Sequence, residues 1–331
     1  MNGRTTETQT MRAVVQDVYG EADVLRPERV ARPTIGAAEV LVRVQAAGVD
    51  RGVWHLMAGK PYAVRLAIGM RAPRSRIRGR ELAGVVEAVG AEVTTFQPGD
   101  EVFGMGEGTF AEYAPAKSTK LAPRPAGLTA EQAAVVPISA TTALQAVRDH
   151  GRVQAGQSVL VIGASGGVGS FAVQIAKASG AHVTGVSSTE KLDLVRSLGA
   201  DDVVDYRTTD LATLDRRFDV VLDIGGNRRL RTLRRLLTPT GTLVIVGGEG
   251  GGQVLGMGRQ LLALLLSPFG KQNLRMFVAS ENAADLAVLT ELIEAGKVTP
   301  VVDRTFPLAE TAAAVAHMSG GKARGKVAVS V

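Results

Sequence analysis

An apolar run, a cluster of glycines and a helical pattern follow one another near the middle of the chain. Residues 158–164 form an apolar stretch of strand length, and residues 165–169 are rich in glycine. Residues 170–180 repeat apolar positions at helical spacing and end on Gly180, a common helix stop. Residues 182–187 predict a second strand. Together these segments predict one β–α–β unit of about 30 residues.

The alternation of strands and helices continues after this unit. Further strands are predicted at residues 202–206, 218–224, 241–248 and 274–280. Repeated βα units are typical of a parallel, doubly wound sheet with helices on both faces. Because such sheets bind ligands at the carboxyl ends of their strands, we expect a site where the first strand meets the glycines.

The first 120 residues show a different pattern, with short β segments separated by Gly and Pro. Residues 39–45 alternate apolar and polar positions with a period of two, as a half-buried strand does. Other short strands are predicted at residues 12–16, 82–90, 99–104 and 110–114. The predicted fold class is therefore α/β, a doubly wound parallel sheet joined to a β-rich, barrel-like domain.

The amino-acid composition excludes several kinds of catalytic and binding site. The 331 residues include no cysteine, which removes disulfides, thiolate nucleophiles and cysteine-based zinc sites. The net charge is +6, with arginines concentrated at residues 71–80 and 228–235. Aromatic residues are only 4% and do not interleave with these arginines, so we interpret both clusters as solvated surface and consider nucleic-acid binding unlikely. The polar start and the absence of a long apolar run predict a cytoplasmic protein that does not cross a membrane.

The glycines stand at the positions of a dinucleotide-binding turn. The six residues of this turn are Ala164, Ser165, Gly166, Gly167, Val168 and Gly169. Gly166 and Gly167 allow the backbone to approach a pyrophosphate, and Gly169 allows the following helix to pack close to the strand. An ordinary tight turn is the alternative, which the flanking strand and helix disfavour.

The residues after the second predicted strand bear on the choice of cofactor. An NAD site places an Asp or Glu about 20 residues after the first glycine, to bind the ribose 2′-hydroxyl. Here Ser187, Ser188 and the later Lys191 stand instead, and these suit a 2′-phosphate. Glu190 is the one candidate acid, but it also fits a helix capping box begun by Ser187. The sequence therefore favours NADPH over NADH.

Several motifs resemble the medium-chain dehydrogenase/reductase superfamily, in its zinc-free quinone oxidoreductase branch. They lie at residues 47–50, 79–90, 98–103, 164–177 and 198–201, and the similarity covers nearly the whole chain. The resemblance implies a GroES-like catalytic domain of residues 1–138 and 300–331, and a Rossmann domain of residues 139–299. It also implies an active site in the cleft between them, and a homodimer, with residues 255–277 as one candidate interface.

The zinc ligands of related alcohol dehydrogenases are replaced in this chain. Their positions correspond to Asp50, Arg80 and about Ile138, and the four histidines show no paired zinc spacing. We therefore expect no metal. A conjugated carbonyl can accept a hydride without a Lewis acid, because its own π system stabilises the electron density. The resemblance implies reduction of a small-molecule quinone or α,β-unsaturated carbonyl by NADPH. A zinc-free alcohol or aldehyde reductase and a non-catalytic NADPH-binding protein are the alternatives.

The resemblance also suggests individual site residues. Asp50, Tyr62 and Trp54 are expected at the substrate side, and Thr142, Gly247 and Gly248 beside the nicotinamide. Ser188, Lys191 and Tyr206 are expected around the adenosine ribose phosphate. Arg80 is interpreted first as a structural partner of Glu81 or another carboxylate. Arg324 and Lys326 are assigned either to the cofactor phosphates or to the surface, and His317 to an ordinary helix position.

Overall fold

The computed structural model describes residues 9–247, 258, 262–263 and 271–331, and every structural statement below concerns these residues. The first half of the chain forms a mainly antiparallel sheet around one long central strand. This sheet has the order β14-β15-β3-β4-β5-β7, with β6 paired to β3, and a separate pair β1-β2 packs beside it. The strands are β1 (Thr10–Val15), β2 (Arg26–Ala31), β3 (Glu39–Val49), β4 (Glu81–Val89), β5 (Glu101–Met105), β6 (Tyr113–Lys117), β7 (Leu121–Pro123), β14 (Val302–Pro307) and β15 (Lys326–Ser330).

The predicted alternation explains why β3 is central. Val40, Val42 and Val44 all point into an apolar cluster, because successive side chains of a strand face opposite sides. The helices that cover this sheet or lead out of it are α1 (Arg51–Ala58), α2 (Arg65–Ile68), α3 (Ala130–Ala134) and α9 (Thr311–Ser319).

The second half forms a six-stranded, wholly parallel sheet in the order β10-β9-β8-β11-β12-β13. Apolar clusters lie on both of its faces, as expected for a doubly wound sheet. Its strands are β8 (Ser158–Ile162), β9 (His182–Ser187), β10 (Asp202–Asp205), β11 (Phe218–Asp223), β12 (Leu237–Ile245) and β13 (Asn273–Met276). Its helices are α4 (Pro137–Gln145), α5 (Gly167–Ala178), α6 (Leu192–Ser197), α7 (Leu230–Arg235) and α8 (Ala283–Glu294). The predicted fold class is confirmed.

The end of the chain returns to the first sheet. β15 pairs antiparallel with β3, and β14 pairs parallel with β15. The boundary placed at residues 138 and 139 falls inside α4, and the division at 299 and 300 stays a prediction. The largest apolar cluster contains Ala46 and Ala83 from the first sheet together with Val159 and Val161 from the second, so the two halves share one continuous core.

Several predicted boundaries are wrong by a few residues. The helix predicted at 170–180 begins at Gly167, because Gly166 already has the extended conformation of a helix N-cap. The strand predicted at 274–280 ends at Met276, and Phe277 instead stacks on the His150 ring at a centroid distance of 4.2 Å. The strand predicted at 110–114 occupies Tyr113–Lys117. No described helix has the length and apolar character needed to span a bilayer.

Candidate active site

The glycine turn after β8 is shaped by contacts that side chains would block. Gly163 has a left-handed φ of 89°, and the backbone N–H groups of Gly163 and Ala164 donate to the carbonyl of Val186 on the next strand. A Cβ on Gly169 would collide with the carbonyl oxygen of Gly163. A Cβ on Gly166 would lie 3.5 Å from the same oxygen, an ordinary contact. Gly169 is therefore required by packing, whereas the backbone at Gly166 is left open to a ligand.

The turn fits a pyrophosphate. α5 begins at Gly167, and the first N–H groups of a helix have no intrahelical acceptor and carry partial positive charge. A Cβ on Gly167 would lie 2.9 Å from Cδ of Lys326, so a side chain there would fill the space beside the turn. Ala164 is fully buried, and Val168 packs against the core.

Two serine hydroxyls lie at the end of β9. Ser187 Oγ donates to Ser165 Oγ at 2.7 Å, and both Ser187 and Ser188 are buried. The capping-box alternative for Glu190 is wrong: Ser188 precedes a short 3₁₀ turn, Thr189–Lys191, without any side-chain capping bond. Glu190 pairs with Arg207 instead. Hydrogen bonds from its own backbone N–H and from the Ser188 hydroxyl, with Arg207 nearby, lower the pKa of Glu190.

These residues line a cleft of about 700 Å³, which we call the glycine-turn pocket. The sequence-predicted residues that line it are Ser165, Gly166, Ser187, Ser188, Lys191 and Tyr206. Four cationic residues that sequence reasoning missed also line it: Arg51, Arg207, Arg228 and Lys322. With Lys191 they make five cations against one acid, Glu190. Such a charge balance suits a ligand with several phosphates.

Lys191 also connects the two halves of the molecule. Its Nζ donates to the carbonyl oxygens of Gly321 and Ala323, both at 2.7 Å. Burial lowers the pKa of Lys191. Arg324 lies at the edge of this contact and pairs with Asp193 and the Glu190 carbonyl, not with the turn. Because the turn at residues 320–323 lies far from the β–α–β unit along the chain, no local sequence signal could reveal Lys322 as a pocket residue.

A buried ion pair lies beneath the turn. Lys326 Nζ contacts Glu81 Oε2 at 2.5 Å, and both side chains are almost completely buried. Glu81 Oε1 accepts a hydrogen bond from the backbone N–H of Ile138 at 2.8 Å. Burial raises the pKa of Glu81 to about 7, with Lys326 opposing the rise and Asp50 adding to it. The sequence predicted that Lys326 contacts the cofactor phosphates or lies at the surface, and this buried pairing shows that both predictions are wrong.

Asp50 has an unsatisfied oxygen in this region. It caps the N-terminus of α1, where Oδ1 accepts from the Val53 backbone N–H at 3.1 Å. Oδ2 is buried and has no hydrogen-bond partner among the described residues. A buried carboxylate oxygen without a donor is costly. Asp50 does not line the glycine-turn pocket, so its predicted role at the substrate side stays a prediction.

Other predicted site residues lie elsewhere. Trp54 Nε1 donates to Glu21 at 2.9 Å, and Tyr62 is 43% exposed beneath the guanidinium of Arg65. Neither side chain lines the glycine-turn pocket or the second pocket described below, so their substrate-side role stays a prediction. The Thr142 hydroxyl donates to the carbonyl of Ile138 at 2.7 Å. Gly247 follows β12 and lines neither pocket, and Gly248 lies outside the described residues.

A second cleft of about 460 Å³ lies on the other side of α1, and we call it the arginine pocket. Arg51 of α1 faces the glycine-turn pocket, whereas Val53 and Leu56 face the arginine pocket. Arg80 lines this pocket and pairs with Glu281, not with Glu81. The sequence predicted Glu81 or another carboxylate as its partner, and the second option is correct. The pocket's basic side chains are Arg74, Arg78, Arg80, Lys117 and Lys120.

The surface interpretation of residues 71–80 is partly wrong. Arg78 is only 7% exposed. Arg80 and Lys120 both bind Glu281, the latter at 2.6 Å, which joins the β-rich half to the segment after β13. In the part of the chain that the structure describes, no three His, Asp or Glu side chains lie close enough to hold a metal ion.

The parallel sheet carries a glycine turn and shares a cleft with a β domain. This arrangement is typical of a two-domain oxidoreductase that uses a dinucleotide cofactor. The family comparisons agree: residues 36–126 match the alcohol dehydrogenase GroES-like domain, and residues 198–329 match the zinc-binding dehydrogenase family. The chain belongs to the medium-chain dehydrogenase/reductase superfamily, in its zinc-free quinone oxidoreductase branch.

Similar proteins span almost the whole chain. The mitochondrial NAD(P)H oxidoreductase RTN4IP1 of Homo sapiens is 34% identical, over 97% of this chain and 89% of that protein. The chloroplastic NADPH-dependent alkenal/one oxidoreductase of Arabidopsis thaliana is 34% identical, over 96% and 79%. The solved quinone oxidoreductase of Coxiella burnetii has a TM-score of 0.85 at 26% identity, over 98% and 100%. The compartment stays a prediction, because the sequence favours the cytoplasm whereas these two curated relatives are organellar by name.

Proposed function

We propose that this protein is an NADPH-dependent reductase of small quinones or α,β-unsaturated carbonyl compounds. The observation that carries the proposal is the glycine-turn pocket, in which the open backbone at Gly166 and five cationic side chains line one cleft. The similarity to a quinone oxidoreductase and to an NADPH-dependent alkenal/one oxidoreductase supports the same reaction class.

The residues of this chain would hold the cofactor in two places. The backbone of Ser165–Gly167 and the start of α5 would bind the pyrophosphate. Ser188, Lys191 and Arg207 would surround the 2′-phosphate, because they line the glycine-turn pocket just after β9 and β10. Asp50 lines neither pocket, so its role beside the substrate stays a prediction. When bound, the reduced nicotinamide supplies the hydride.

Apart from binding the cofactor, this chain would position the substrate and stabilise the charge that develops on it. The carbonyl oxygen of the substrate gains negative charge during reduction, and Arg80 and Lys120 are the cationic donors that line the arginine pocket next to Glu281. Glu81 is shielded by Lys326 and buried, so it does not reach the substrate. We therefore expect water to supply the proton that completes the reduction.

The same site argues for a reaction that does not use zinc. The positions that hold zinc ligands in related alcohol dehydrogenases contain Asp50, Arg80 and Ile138, and the Arg80 guanidinium cannot ligate a cation. Hydride transfer to a conjugated carbonyl is the reaction that needs a Lewis acid least.

The test is NADPH oxidation against a panel of quinones and enones, with enzyme treated with EDTA. We expect turnover with at least one member of the panel and no loss after chelation. Gly166→Ala is the matched variant, because a Cβ there meets only the Gly163 carbonyl oxygen, at 3.5 Å, so the protein should fold and lose turnover through weaker NADPH binding. Turnover with simple alcohols alone would favour the alcohol dehydrogenase alternative. NADPH binding without any turnover would favour the non-catalytic one.

We also propose that the protein is a homodimer. Among the described strands, β13 is the outermost of the parallel sheet on its side, and Val278 just beyond it is 86% exposed. An outermost strand next to an exposed apolar side chain is a natural surface for pairing with a second copy. Most of the candidate interface at residues 255–277 lies outside the described residues. Light scattering of the purified protein should give twice the chain mass of 34.5 kDa. A single-chain mass across a range of concentrations would contradict the dimer.

A further inference from the structure

Arg78 is a buried cation, and the described part of the chain gives it no counter-charge. Its side chain is 7% exposed and lines the arginine pocket. Nε donates to the neutral amide of Gln16 at 2.8 Å, and Nη2 is buried with no acceptor. Among the described residues no carboxylate lies within ion-pair distance of it. Burial lowers the pKa of Arg78, as expected where the charged form loses its hydration. An unpaired buried charge is costly, which indicates that a partner arrives with the ligand.

The nearby Arg76 differs from Arg78, because it has carboxylate partners. Arg76 contacts Asp17 at 2.7 Å and Glu28 at 3.1 Å. Hydrogen bonds from Arg76 and Arg26 lower the pKa of Asp17 to about 2. Arg76 is exposed and does not line the arginine pocket, whereas Arg78 is buried and lines it.

The acids that line the arginine pocket do not neutralise Arg78. Glu281 is bound to Arg80 and Lys120, and Glu39 accepts a hydrogen bond from the Gly36 backbone at 2.8 Å. Glu107 is exposed to solvent. Five cations thus face three acids in this pocket, and the one cation that is buried has no acid of its own.

The rest of the pocket is apolar. Its walls include Val53, Leu56, Ala67, Ile68, Ile77 and Met105. Thr109 Oγ1 is a second buried polar atom without a partner, and it lies against Gly79, which lines the pocket beside Arg78. A pocket with apolar walls and an unpaired guanidinium suits a molecule with an apolar body and an anionic end.

We propose that the arginine pocket binds an anionic group, carboxylate or phosphate, of the reducible substrate, and that Arg78 is its counter-ion. The substrate class is then an α,β-unsaturated carbonyl compound that carries a negative charge. This inference rests on the proposed function, because it names the substrate class of the proposed reaction. One helix, α1, lines both pockets: Arg51 faces the glycine-turn pocket, and Val53 and Leu56 face the arginine pocket.

The kinetic test compares a charged substrate with its neutral ester. The probes are 4-oxopent-2-enoate and methyl 4-oxopent-2-enoate, and the measured quantity is the ratio of their kcat/KM values. In Arg78→Gln we expect this ratio to fall at least about tenfold relative to wild type, the loss typical of a charge-assisted hydrogen bond. Comparing the ratio between variants cancels the different intrinsic reactivities of acid and ester.

The matched control is Arg71→Gln, which removes the same charge from an exposed position of the same segment. It should leave the ratio unchanged, because it alters long-range attraction but not the pocket. Arg78→Lys keeps the charge and should retain part of the preference for the charged substrate. If Arg78→Gln does not fold, Arg78→Lys still tests the inference. An unchanged ratio in a folded Arg78→Gln protein, with the ester still reduced, would overturn the inference and leave the proposed function standing.

A binding test does not depend on turnover. Calorimetric titration uses 4-oxopentanoate, its methyl ester and inorganic phosphate as probes. We expect 4-oxopentanoate to bind wild type at least about tenfold more tightly than Arg78→Gln. This result without any reductase activity would uphold the anion site and reject the proposed function. Phosphate binding that is lost in Arg78→Gln but is not displaced by 4-oxopentanoate would mean that the arginine pocket takes a free anion, and would overturn the inference.

Discussion

The glycine-turn pocket and the arginine pocket lie on opposite sides of α1 but are constructed differently. The first has the backbone of one continuous β–α–β unit, from Gly163 to Lys191, at its centre, and residues 51, 206–207, 224–228 and 320–322 complete its walls. The second is made by side chains from several separate segments, including residues 53–56, 67–80, 105–108, 115–120 and 281. Backbone binding depends on local conformation, whereas side-chain binding depends on which distant residues the fold brings together. The difference explains which of the two sites the sequence reveals.

The largest expected effect tests the backbone dependence of the glycine-turn pocket. Gly169→Ala places a Cβ on the Gly163 carbonyl oxygen, so the turn cannot close. We expect loss of detectable NADPH binding and a marked fall in the melting temperature. Gly166→Ala adds a Cβ only 3.5 Å from the same oxygen and should fold normally while binding NADPH more weakly. Circular dichroism melts measure the stability of each variant, and fluorescence titrations measure its NADPH affinity. Equal melting temperatures and equal affinities of the two variants would contradict the different roles of Gly166 and Gly169.

The buried pair beneath the turn tests how far the two halves depend on each other. Lys326→Met leaves the Glu81 carboxylate buried without its cation, which costs about 3–5 kcal/mol of unfolding free energy. The double variant Glu81→Gln with Lys326→Met removes both charges and should recover most of that loss. Urea denaturation gives the free energies. A single variant as stable as wild type would mean that the pair contributes no stability.

The same pair predicts a specific pH dependence. The pKa of Glu81 is raised from 4.5 to about 7 in the folded state, so folded protein binds more protons than unfolded protein between these values. The stability due to Glu81 is therefore present below about pH 4.5 and is lost as the pH rises through 7. The difference in unfolding free energy between wild type and Glu81→Gln should fall over this window by on the order of 1–3 kcal/mol. A difference that is constant with pH would contradict the raised pKa.

The smallest of these effects concerns one cation in the glycine-turn pocket. Lys191→Ala should raise the NADPH dissociation constant severalfold and change that of NADH little, because only NADPH carries the 2′-phosphate. Lys177→Ala is the control, since Lys177 pairs with Asp201 and does not line the pocket. Equal weakening of both cofactors by Lys191→Ala would instead assign Lys191 to holding the carbonyls of Gly321 and Ala323.

The parts of the fold that arise from neighbouring residues were predictable. The glycine turn, the parallel sheet and the central strand β3 all follow from apolar periodicity and turn residues within short windows. Ser165, Ser187 and Lys191 were found in the same way, because strand ends of one β–α–β unit must meet.

Contacts between distant segments were not predictable from local pattern. Glu281 binds Arg80 across 201 residues, and Lys326 binds Glu81 across 245. One signal existed for the second pair: Lys326 begins the apolar strand Lys326–Ser330, where a buried lysine requires an acid. Arg78 offered no such signal, because five arginines within ten residues are equally consistent with a solvated loop.

The central claim is that the glycine-turn pocket selects a phosphorylated dinucleotide. The most direct measurement is a pair of fluorescence titrations of the purified protein with NADPH and NADH at one ionic strength, since charge-based selectivity depends on salt. Five cations around a single acid predict NADPH binding at least about tenfold tighter than NADH. Equal affinities, or tighter binding of NADH, would contradict the account.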